Sequence, residues 1–540
     1  MTDQKHPLQK AMEAWRVVLS SHALISDPHQ VEMGIRNVTG LNREAEAILM
    51  PSTTDEVLQV VEIANRFQIP LYPVSGGRNW GLGSRMPVTH RCVVVDLNRM
   101  NRIREVNVEH HYAVVEPGVT QRQLYQYLCD QRLPLVMNVT GSGADTSLIG
   151  NALDRGVGYF APRAGSLSSL EVVLGNGRLL KTGFGHYPHA VNRHVYPDGI
   201  GPSLDGLFFQ SNFGIVTCAG VDLIPAPEAR VSLVATLRRD DLLEPFMDAM
   251  ARLAREGIVR SAVHIANRSR TEISMAPLIY QYLSENKPAA NPDTLKRESL
   301  DIIRREGFGP WSAVGGLFAT RAMLRAMQHE IRGALKGIAH VQFISDELLK
   351  LGKWASHLLQ WIPAMSRKKA LLHAVEPLYG LSKGIPSDVA LHSVGWPLGE
   401  LPSREIKNPD EGQAGLLYCL PMIPLSGYRA QQTVLCTESV FVKYGFTPYI
   451  TMNIVDAKAL ECVINLAFDR QSPEQVHSAH ACIHELESVF MNEGLMLYRV
   501  GIDSMNRITS ETDPFWQVVR DLKKVLDPQH IIAPRRYNLV

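Results

Sequence analysis

The segment of this chain best suited to chemistry is a glycine-rich run at residues 73–84, PVSGGRNWGLGS. It holds four glycines and two serines between two apolar runs typical of buried strands, which begin at Ile69 and Cys92. Because glycine has no Cβ, the main-chain N–H groups of such a turn can close around an anion. The spacing matches neither the G-x-G-x-x-G nor the G-x-x-x-x-G-K-[ST] nucleotide motif. The run therefore predicts a pyrophosphate-binding turn of another kind.

Two further glycine-bearing tracts follow the first. One spans residues 139–159 and the other spans residues 199–218. A hairpin is predicted between them at 171–183, where a Gly-Asn-Gly triplet supplies the turn. A generic sheet does not need three such loops so close in sequence. Their number predicts one long ligand that lies across several loop ends.

The segments around these loops alternate helix and strand signals. A helix is predicted to begin at residues 52–54, because three hydroxyl side chains precede an acidic first turn. Apolar residues follow at helical spacing before the strand that begins at Ile69. Strands are predicted at 92–97 and 111–117, and a helix is predicted at 120–128. These elements indicate a mixed α/β domain that feeds the glycine loops.

Length and composition limit the class of protein. At 540 residues the chain is too long for one core, which predicts two domains. A net charge of +1 argues against a nucleic-acid surface and favours a small-molecule ligand. The N-terminus lacks the apolar core of a signal peptide, and no stretch approaches the roughly 18 apolar residues of a membrane span. We therefore predict a cytoplasmic protein without nucleic-acid or membrane partners.

The cysteines and histidines show no metal pattern. Seven cysteines are scattered without a C-x-x-C pair, so neither a disulfide framework nor a structural zinc site is expected. His186, His189 and His194 lie near one another, but their irregular spacing argues against metal ligation. No metal is therefore predicted.

Several segments, taken in order, resemble the vanillyl-alcohol oxidase and p-cresol methylhydroxylase flavoproteins. They are PVSGGRNWGLG, VVVDLNRMNRI, VVEPGVT, IGNALDRGVGY, EVVLGNGRLLKTG, GPSLDGLFFQSNFGIVT, the dipeptide Tyr498-Arg499, and LDPQHIIAP. The resemblance implies an α+β protein with a two-subdomain FAD-binding domain of the p-cresol methylhydroxylase type at 1–227. It also implies an α+β cap or substrate domain at 228–495 and a C-terminal segment, 496–540, that returns to the FAD domain.

The resemblance implies FAD as the cofactor and assigns residues to it. They are Pro73, Ser75, Gly76, Gly77, Arg78, Asn79, Gly83, Pro117, Gly118, Ser147, Gly150, Asn151, Asp154, Gly156, Gly158, Tyr159, Ile215, Val216 and Arg536. The positive charge of Arg536 would favour the anionic reduced flavin. Related enzymes attach FAD through a histidine, but this chain has Gly77 in the pyrophosphate loop and no histidine between His392 and His477. We therefore predict non-covalent FAD, with a tyrosyl link through Tyr418 as the alternative.

Tyr498 and Arg499 match a pair that, in this family, binds the phenol oxygen of the substrate. A guanidinium and a phenolic O–H aimed at one oxygen favour its ionised form, and the phenolate pushes electron density to its para carbon. Loss of hydride from the carbon attached there gives a quinone-methide-like intermediate. The alternative is an ordinary Tyr-Arg pair that packs at a domain boundary.

Three positions depart from the family pattern. Leu82 stands where a third phenol-binding residue, a tyrosine, is expected, and the loss of that donor predicts phenolate binding weaker by about ten- to a hundredfold. Ser142 stands where some members place an aspartate near the flavin; Asp145 takes that role only if a gap is allowed, and is otherwise a loop carboxylate. Glu461 is a candidate base, or else the exposed face of a strand. Leu82 and Tyr418 are assigned to the substrate pocket.

These residues predict an FAD-dependent oxidoreductase that takes a hydride from the benzylic or allylic carbon of a para-substituted phenol or aryl alcohol. One alternative is oxidation of a non-phenolic alcohol or hydroxy acid on the same fold. A second alternative is a flavin-binding protein without turnover. The expected partners are a small aromatic substrate and either O₂ or an electron-transfer protein. A homodimer is expected by analogy with the family.

Overall fold

A computed structural model describes residues 6–306, 308–358, 363–403, 406 and 408–540. Two sheets form from the first part of the chain and a larger sheet forms from the middle part. Helices cover all three sheets. The predicted α+β class is therefore confirmed.

The first sheet is mostly parallel and carries the glycine run at one strand end. Its order is β1-β2-β4-β3, with β1 antiparallel to β2 and the other pairs parallel. The predicted helix start is confirmed, because the Thr53 side chain caps α3 by accepting the Glu56 N–H at 3.1 Å. The elements are α1 (Pro7–Val18), β1 (Leu24–Ile25), α2 (Pro28–Ile35), β2 (Ala45–Leu49), α3 (Thr54–Phe67), β3 (Leu71–Val74) and β4 (Cys92–Asp96).

The second sheet is antiparallel, in the order β5-β6-β10-β8-β9, with a two-stranded β7-β11 ladder beside it. The predicted strand at 111–117, helix at 120–128 and hairpin at 171–183 are confirmed as β6, α4 and β8-β9. Gly177 in the hairpin turn has a φ of 80°, which explains the glycine there. The elements are β5 (Ile103–Asn107), β6 (Tyr112–Val115), α4 (Gln121–Asp130), β7 (Leu135–Val136), α5 (Leu148–Leu153), β8 (Leu167–Leu174), β9 (Leu179–Lys181), β10 (Gly214–Asp222) and β11 (Ile224–Pro225).

The middle of the chain forms an antiparallel sheet in the order β15-β12-β14-β13-β18-β19-β16, and β17 also pairs with β19. Helices α6, α9, α13 and α14 share its main core, whereas α7, α8 and α11 form a second cluster. The elements are β12 (Ala229–Leu237), α6 (Leu243–Arg255), β13 (Val263–Asn267), α7 (Arg268–Asn286), α8 (Pro292–Arg305), β14 (Trp311–Ala319), α9 (Arg321–Ala334), β15 (Ala339–Ile344), α10 (Asp346–Leu358), α11 (Pro363–Leu381), α12 (His392–Gly395), β16 (Ala414–Cys419), β17 (Met422–Pro424), α13 (Gly427–Tyr444), β18 (Tyr449–Ile454), β19 (Ala459–Asp469) and α14 (Pro473–Asn492).

The C-terminal segment packs back on the first two sheets. Helix α15 (Pro514–Leu526) places Leu522 against the core of the second sheet. Beyond it, Ile532 lies in the core of the first sheet, and Leu71 exchanges two 2.7 Å main-chain hydrogen bonds with Ile531 and Ala533. The last residues of the chain are thus fixed beside the strand that leads into the glycine run. The domain limits at 227 and 495 stay predictions.

A buried carboxylate ties the glycine run to the middle of the chain. Asp410 accepts hydrogen bonds from Trp80 Nε1 at 3.1 Å, from Ser84 Oγ at 2.8 Å and from the Val38 N–H at 3.0 Å. Burial raises the pKa of Asp410 to about 6. The bonds from Trp80 and Ser84 join the glycine run to the loop that precedes β16, and the third joins Val38 to the same loop. Within the described part of the chain, no helix is long and apolar enough to cross a membrane.

Candidate active site

The glycine run presents a series of free main-chain donors. It follows β3, and among the described residues the N–H groups of residues 75–79 have no hydrogen-bond acceptor. Gly77 has a φ of 62°, in the left-handed region that glycine adopts without strain. Consecutive N–H groups in such a turn form a concave anion site. This geometry fits a pyrophosphate.

The second glycine tract packs directly against the first. A Cβ on Gly150 would lie 1.8 Å from Ser75 Oγ, and a Cβ on Gly76 would lie 3.6 Å from the Ser147 nitrogen. Ser147 caps α5, because its Oγ accepts the Gly150 N–H at 2.9 Å. Glycine at position 150 therefore allows the two loops to approach this closely, whereas a Cβ at position 76 would make an ordinary contact. Together the two loops make one elongated cavity, which we call the cofactor cavity.

The cofactor cavity collects most of the residues that the sequence assigned to FAD. Of those residues, it is lined by Pro73, Ser75, Gly76, Gly77, Arg78, Asn79, Pro117, Ser147, Gly150, Asn151, Asp154, Ile215, Val216 and, from the chain end, Arg536. Arg499, which the sequence assigned to the substrate, also lines it. Five assigned residues do not line it: Gly156 lines the second cavity described below, and the other four are Gly83, Gly118, Gly158 and Tyr159.

Each of those four residues has another neighbour. A Cβ on Gly83 would contact Ile502, and one on Gly118 would lie 2.5 Å from the carbonyl oxygen of Asn98. Gly158 packs in the same way on Asn138. Tyr159 stacks near His264, with ring centroids 4.4 Å apart. Three of these positions shape the loops, and Tyr159 contacts the middle sheet.

Asp154 joins the two arginines from the chain end. Its Oδ2 accepts hydrogen bonds from Asn79 Nδ2 and Arg499 Nη2, and its Oδ1 accepts one from Arg536 Nη2, all at 2.8 Å. Burial raises the pKa of Asp154, but the charges of Arg499 and Arg536 outweigh it and hold the pKa below the usual range. One carboxylate thus balances two guanidinium groups, and this cluster keeps a net positive charge beside the cofactor cavity.

A second cavity opens on the other side of Arg499, and we call it the substrate cavity. The two cavities share Arg78, Asn79, Leu82, Asn151 and Arg499. Its walls come from the two glycine tracts, α7, the segment around α12, and strands β16, β18 and β19. Its other lining residues include Trp80, Ser142, Gly156, Arg270, Leu391, Leu416, Tyr418, Tyr449, Asn453, Glu461, Asn465 and Tyr498.

Tyr498 and Glu461 form a hydrogen-bonded pair in this cavity. The Tyr498 hydroxyl donates to Glu461 Oε1. Tyr498 is held between two remote parts of the chain, because its N–H donates to the Leu420 carbonyl at 3.1 Å and its carbonyl accepts from Gln210 Nε2 at 2.8 Å. Glu461 lies on β19 opposite Asn453 on β18. Glu461 is 2% exposed, so it does not lie on the outer face of its strand.

The electrostatics of Glu461 suit a base. Burial raises the pKa of Glu461 to about 8, although the charge of Arg499 and a hydrogen bond from Asn453 oppose the rise. Its Oε2 is buried without a hydrogen-bond partner, as are Nε of Arg499 and Oδ1 of Asn465, among the described residues. Unpaired buried polar atoms are costly, so their concentration in one cavity indicates a polar ligand.

Ser142 and Asp145, the two candidates for the position where some family members have an aspartate, lie in different places. Ser142 lines the substrate cavity and its hydroxyl bonds to the hydroxyls of Thr140 and Thr146. The Asp145 carboxylate lines neither cavity; it pairs with Arg122 at 2.7 Å and with Arg78 at 3.4 Å. Of the two candidates, only Ser142 is in a position to contact a ligand in the substrate cavity.

Leu82 and Tyr418 both line the substrate cavity, as the sequence assigned them. Leu82 is 3% exposed and lies where the two cavities meet. Tyr418, on β16, packs against Gly81, where a Cβ would approach its ring within 2.5 Å. Burial raises the pKa of Tyr418, whereas the charges of Arg270 and Arg499 lower it. Tyr418 therefore lies under the influence of two cations.

Several cavity residues escaped the sequence analysis. Asn453 and Asn465 are polar positions inside apolar strands, a signal that a search for buried polar residues would have found. Arg270 belongs to no recognisable sequence motif, and Asp410 lies in a loop without a recognisable sequence pattern. Nothing in the sequence connects Arg270 with Ser393, or Asp410 with the glycine run, because each of these contacts spans more than a hundred residues.

One cluster outside both cavities contains potential metal ligands. His480 Nδ1 and His484 Nε2 lie 2.7 and 3.0 Å from the same oxygen of Asp503, and His480 Nε2 lies 2.8 Å from the Thr39 carbonyl. Burial lowers the pKa of His480, but Asp503 more than offsets this and the net pKa is raised. With both ring nitrogens of His480 facing acceptors, the arrangement is that of an ion pair. His186, His189 and His194 belong to no such group within the described residues.

The comparisons with known proteins agree with this geometry. The family model described as an FAD binding domain matches residues 45–183. A relative from Chondromyces crocatus, 1'-carboxy-chondrochloren decarboxylase, is 32% identical over 98% of this chain and 97% of its own length. The flavoprotein subunit of 4-cresol dehydrogenase [hydroxylating] from Pseudomonas putida is 27% identical over 98% of this chain and 95% of its own length.

A solved structure shares the whole architecture. The 4-ethylphenol oxidase from Gulosibacter chungangensis, in complex with isoeugenol, superimposes with a TM-score of 0.84 at 25% identity. The match covers 99% of this chain and 98% of that one. The predicted fold is therefore confirmed along the full length, and the predicted FAD cofactor is confirmed with it.

Proposed function

The chain belongs to the vanillyl-alcohol oxidase and p-cresol methylhydroxylase family of FAD-dependent oxidoreductases, and on that premise we propose that it oxidises para-substituted phenols. The reacting position is the benzylic or allylic carbon of the para substituent. Relatives named for 4-cresol and 4-ethylphenol support this substrate class.

One observation carries the proposal. Tyr498, Glu461 and Arg499 converge on one wall of the substrate cavity, and Arg499 also borders the cofactor cavity. Nε of Arg499 and Oε2 of Glu461 are buried without partners among the described residues. A donor with a fixed positive charge and a proton acceptor thus stand within one pocket. A phenol that ionises on binding satisfies both groups.

The side chains divide the work as follows. Arg499 binds the phenol oxygen and favours its phenolate, because a guanidinium stabilises the charge that develops there. The Tyr498 hydroxyl passes its proton to Glu461 and takes the phenol proton in its place, and it then donates that proton in a hydrogen bond to the phenolate oxygen. The phenolate donates electron density to the para carbon, which weakens the C–H bond on its substituent. FAD, when bound, supplies a two-electron acceptor for the hydride.

Asp154 and Arg536 support this site from the cofactor side. Asp154 fixes the Arg499 guanidinium at 2.8 Å, so Arg499 presents a constant orientation to the phenol oxygen. Arg536 lies 2.8 Å from the other oxygen of Asp154. Ser75 to Asn79 would hold the pyrophosphate of FAD through their main-chain N–H groups. We propose that FAD is held without a covalent bond, and acid precipitation of the protein tests whether the flavin leaves or stays at Tyr418.

The test replaces Arg499 by methionine and follows flavin bleaching by 4-ethylphenol under anaerobic conditions. We expect the bleaching rate to fall by about 10²- to 10³-fold, as for loss of a charge-stabilising donor. Arg122→Met serves as the control, because Arg122 is exposed and lines neither the cofactor cavity nor the substrate cavity. Bleaching of the Arg499 variant at the wild-type rate would reject the proposal. Oxygen consumption in air separates an oxidase from a dehydrogenase that needs another acceptor.

Oxidative loss of a carboxylate is a second candidate. One relative is named a decarboxylase. The specific observation is the pKa of Glu461, about 8, which leaves this side chain mostly uncharged near neutral pH. A substrate carboxylate therefore meets no unpaired negative charge among the described residues that line the cavity. In this reaction the C–C bond to the carboxylate breaks and CO₂ leaves. The electron pair of that bond, rather than the pair carried by a hydride, goes to the two-electron acceptor. Release of CO₂ from 4-hydroxyphenylacetate as the flavin bleaches would distinguish the two reactions.

A further inference from the structure

Arg270 is a cation in the substrate cavity that the phenol site does not use. It lies in the first turn of α7, just after β13, where Asn267 caps the helix by accepting the Arg270 N–H at 2.9 Å. Its guanidinium lines the cavity and donates to Ser393 Oγ at 3.3 Å. Among the described residues, no carboxylate lies within ion-pair distance of it.

The other arginines of this cavity differ from Arg270 in one respect. Arg499 pairs with Asp154 at 2.8 Å, and Arg78 pairs with Asp145 at 3.4 Å. Each of those two guanidiniums has a carboxylate partner supplied by the protein. Only Arg270, among the arginines that line the described cavity, has a neutral hydroxyl as its one side-chain partner.

The groups around Arg270 are hydroxyls. Its charge acts on Tyr418, Tyr159 and Tyr449, which are close enough for it to lower the pKa of each. Burial raises the pKa of each tyrosine more strongly, to about 12 for Tyr159, so all three remain neutral O–H groups. This end of the cavity therefore offers one cation and several hydroxyl donors.

A partly buried guanidinium without a counter-ion is energetically unfavourable. Burial lowers the pKa of Arg270, which expresses the cost of removing its charge from water. A carboxylate fits the two parallel N–H groups of a guanidinium and would offset that cost. Because Arg270 lines the substrate cavity, a ligand there can contact its guanidinium. The missing counter-ion is then best supplied by the ligand.

We propose that Arg270 binds an acidic group on the substrate, and that the preferred substrates are phenols whose para side chain ends in a carboxylate. The phenol part of this inference rests on the function proposed above. Arg499 and Arg270 both line the cavity and have separate partners, Asp154 and Ser393, so the cavity suits a molecule with two ionisable groups. Arg270 acts here as a specificity-determining residue.

The first experiment needs only the wild-type holoenzyme. Two probes are compared, 3-(4-hydroxyphenyl)propionate and 4-propylphenol, which differ only in a terminal carboxylate in place of a methyl group. For each probe, we measure the concentration that gives half of the maximal rate of anaerobic flavin bleaching. We expect a value at least tenfold lower for the carboxylate. Equal values, or tighter binding of 4-propylphenol, would overturn the inference.

The second experiment uses Arg270→Met, with Arg270→Lys and Ser393→Ala as matched variants. Retained flavin absorbance shows that each variant folds. We expect Arg270→Met to lose at least tenfold in apparent affinity for the carboxylate probe, with the 4-propylphenol value unchanged. Arg270→Lys should keep part of the discrimination and Ser393→Ala most of it. A parallel loss for both probes in Arg270→Met would contradict a role in specificity.

A third probe separates this inference from the proposed function. 3-Phenylpropionate has the carboxylate but no phenol, and its binding is followed by the shift in flavin absorbance rather than by turnover. Binding that is lost in Arg270→Met but kept in Arg499→Met supports the anion site even if no phenol bleaches the flavin. Absence of any Arg270-dependent shift, together with normal bleaching by 4-ethylphenol, rejects the anion site and leaves the phenol oxidase proposal intact.

Discussion

The cofactor cavity and the substrate cavity meet at Arg499, yet they are built in opposite ways. Most of the residues that line the cofactor cavity come from the three glycine tracts, and the first tract offers main-chain N–H groups without acceptors among the described residues. The substrate cavity is formed by side chains from α7, β16, β18, β19 and the segment that ends at Arg499. One cavity comes from local sequence, and the other comes from distant segments.

This difference has a physical consequence. A main-chain N–H is present whatever the side chain, so the cofactor cavity tolerates changes except where a Cβ would collide, as at Gly150. The substrate cavity has no such protection, because each donor or charge there belongs to one side chain. Substitution of a single residue, such as Leu82, can therefore alter its substrate without altering the fold. Four predictions test this contrast.

The largest effect is expected where the two cavities depend on one side chain. Asp154→Ala leaves Arg499 and Arg536 without their shared carboxylate, and loss of one partner from a buried ion pair costs about 3–5 kcal/mol. Denaturant unfolding of the holoenzyme measures the loss, and FAD retention should fall with it. The control is Asp145→Ala, whose half-exposed pair with Arg122 is worth about 0–1 kcal/mol. Equal losses for the two variants would contradict the central role of Asp154.

A second, smaller effect concerns the pH dependence of catalysis. Since the pKa of Glu461 is about 8 and a base must be deprotonated, the rate of flavin bleaching by 4-ethylphenol should rise as the pH increases through about 8. Glu461→Gln should remove that rise and lower the rate at pH 9 by about 100-fold. A variant that keeps the wild-type pH profile would show that another group is the base.

The same residue should affect stability with a definite sign. The pKa of Glu461 is higher in the folded protein than its ordinary value of 4.5, so the folded state disfavours the charged form. The contribution of Glu461 to the free energy of unfolding is therefore greatest below about pH 4.5 and declines as the pH rises toward 8. Glu461→Gln should consequently raise the unfolding temperature at pH 8 more than at pH 5.

The smallest effect is expected at Leu82. Leu82→Tyr would restore a hydroxyl donor at the meeting point of the two cavities and should tighten binding of 4-ethylphenol by about tenfold. Leu82→Phe is the matched control, because it adds the ring without the hydroxyl. Equal affinities for the two variants would mean that the hydroxyl does not reach the phenol oxygen. FAD content should remain unchanged in both.

The sequence predicted the cofactor side of this protein well. The helix start at Thr53, the strand at β4, and the hairpin of β8 and β9 are local patterns of capping, alternation and turn residues, and the structure contains all three. The pairing of Tyr498 with Glu461 was not predicted. They are 37 positions apart on different elements, and only the packing of β19 beside the returning segment brings them together.

The sequence by itself determined the glycine loops, because these depend on short-range spacing and on residues that lack a Cβ, and its resemblance to a known family indicated the class of fold and the cofactor. The tertiary structure alone decided which charges are balanced. Asp145 and Asp154 are both acidic residues of the same tract, yet one forms an exposed pair and the other holds two buried arginines. Likewise Arg270 remains without a carboxylate among the described residues. Charge balance depends on distances between remote segments, and those distances exist only in the folded chain.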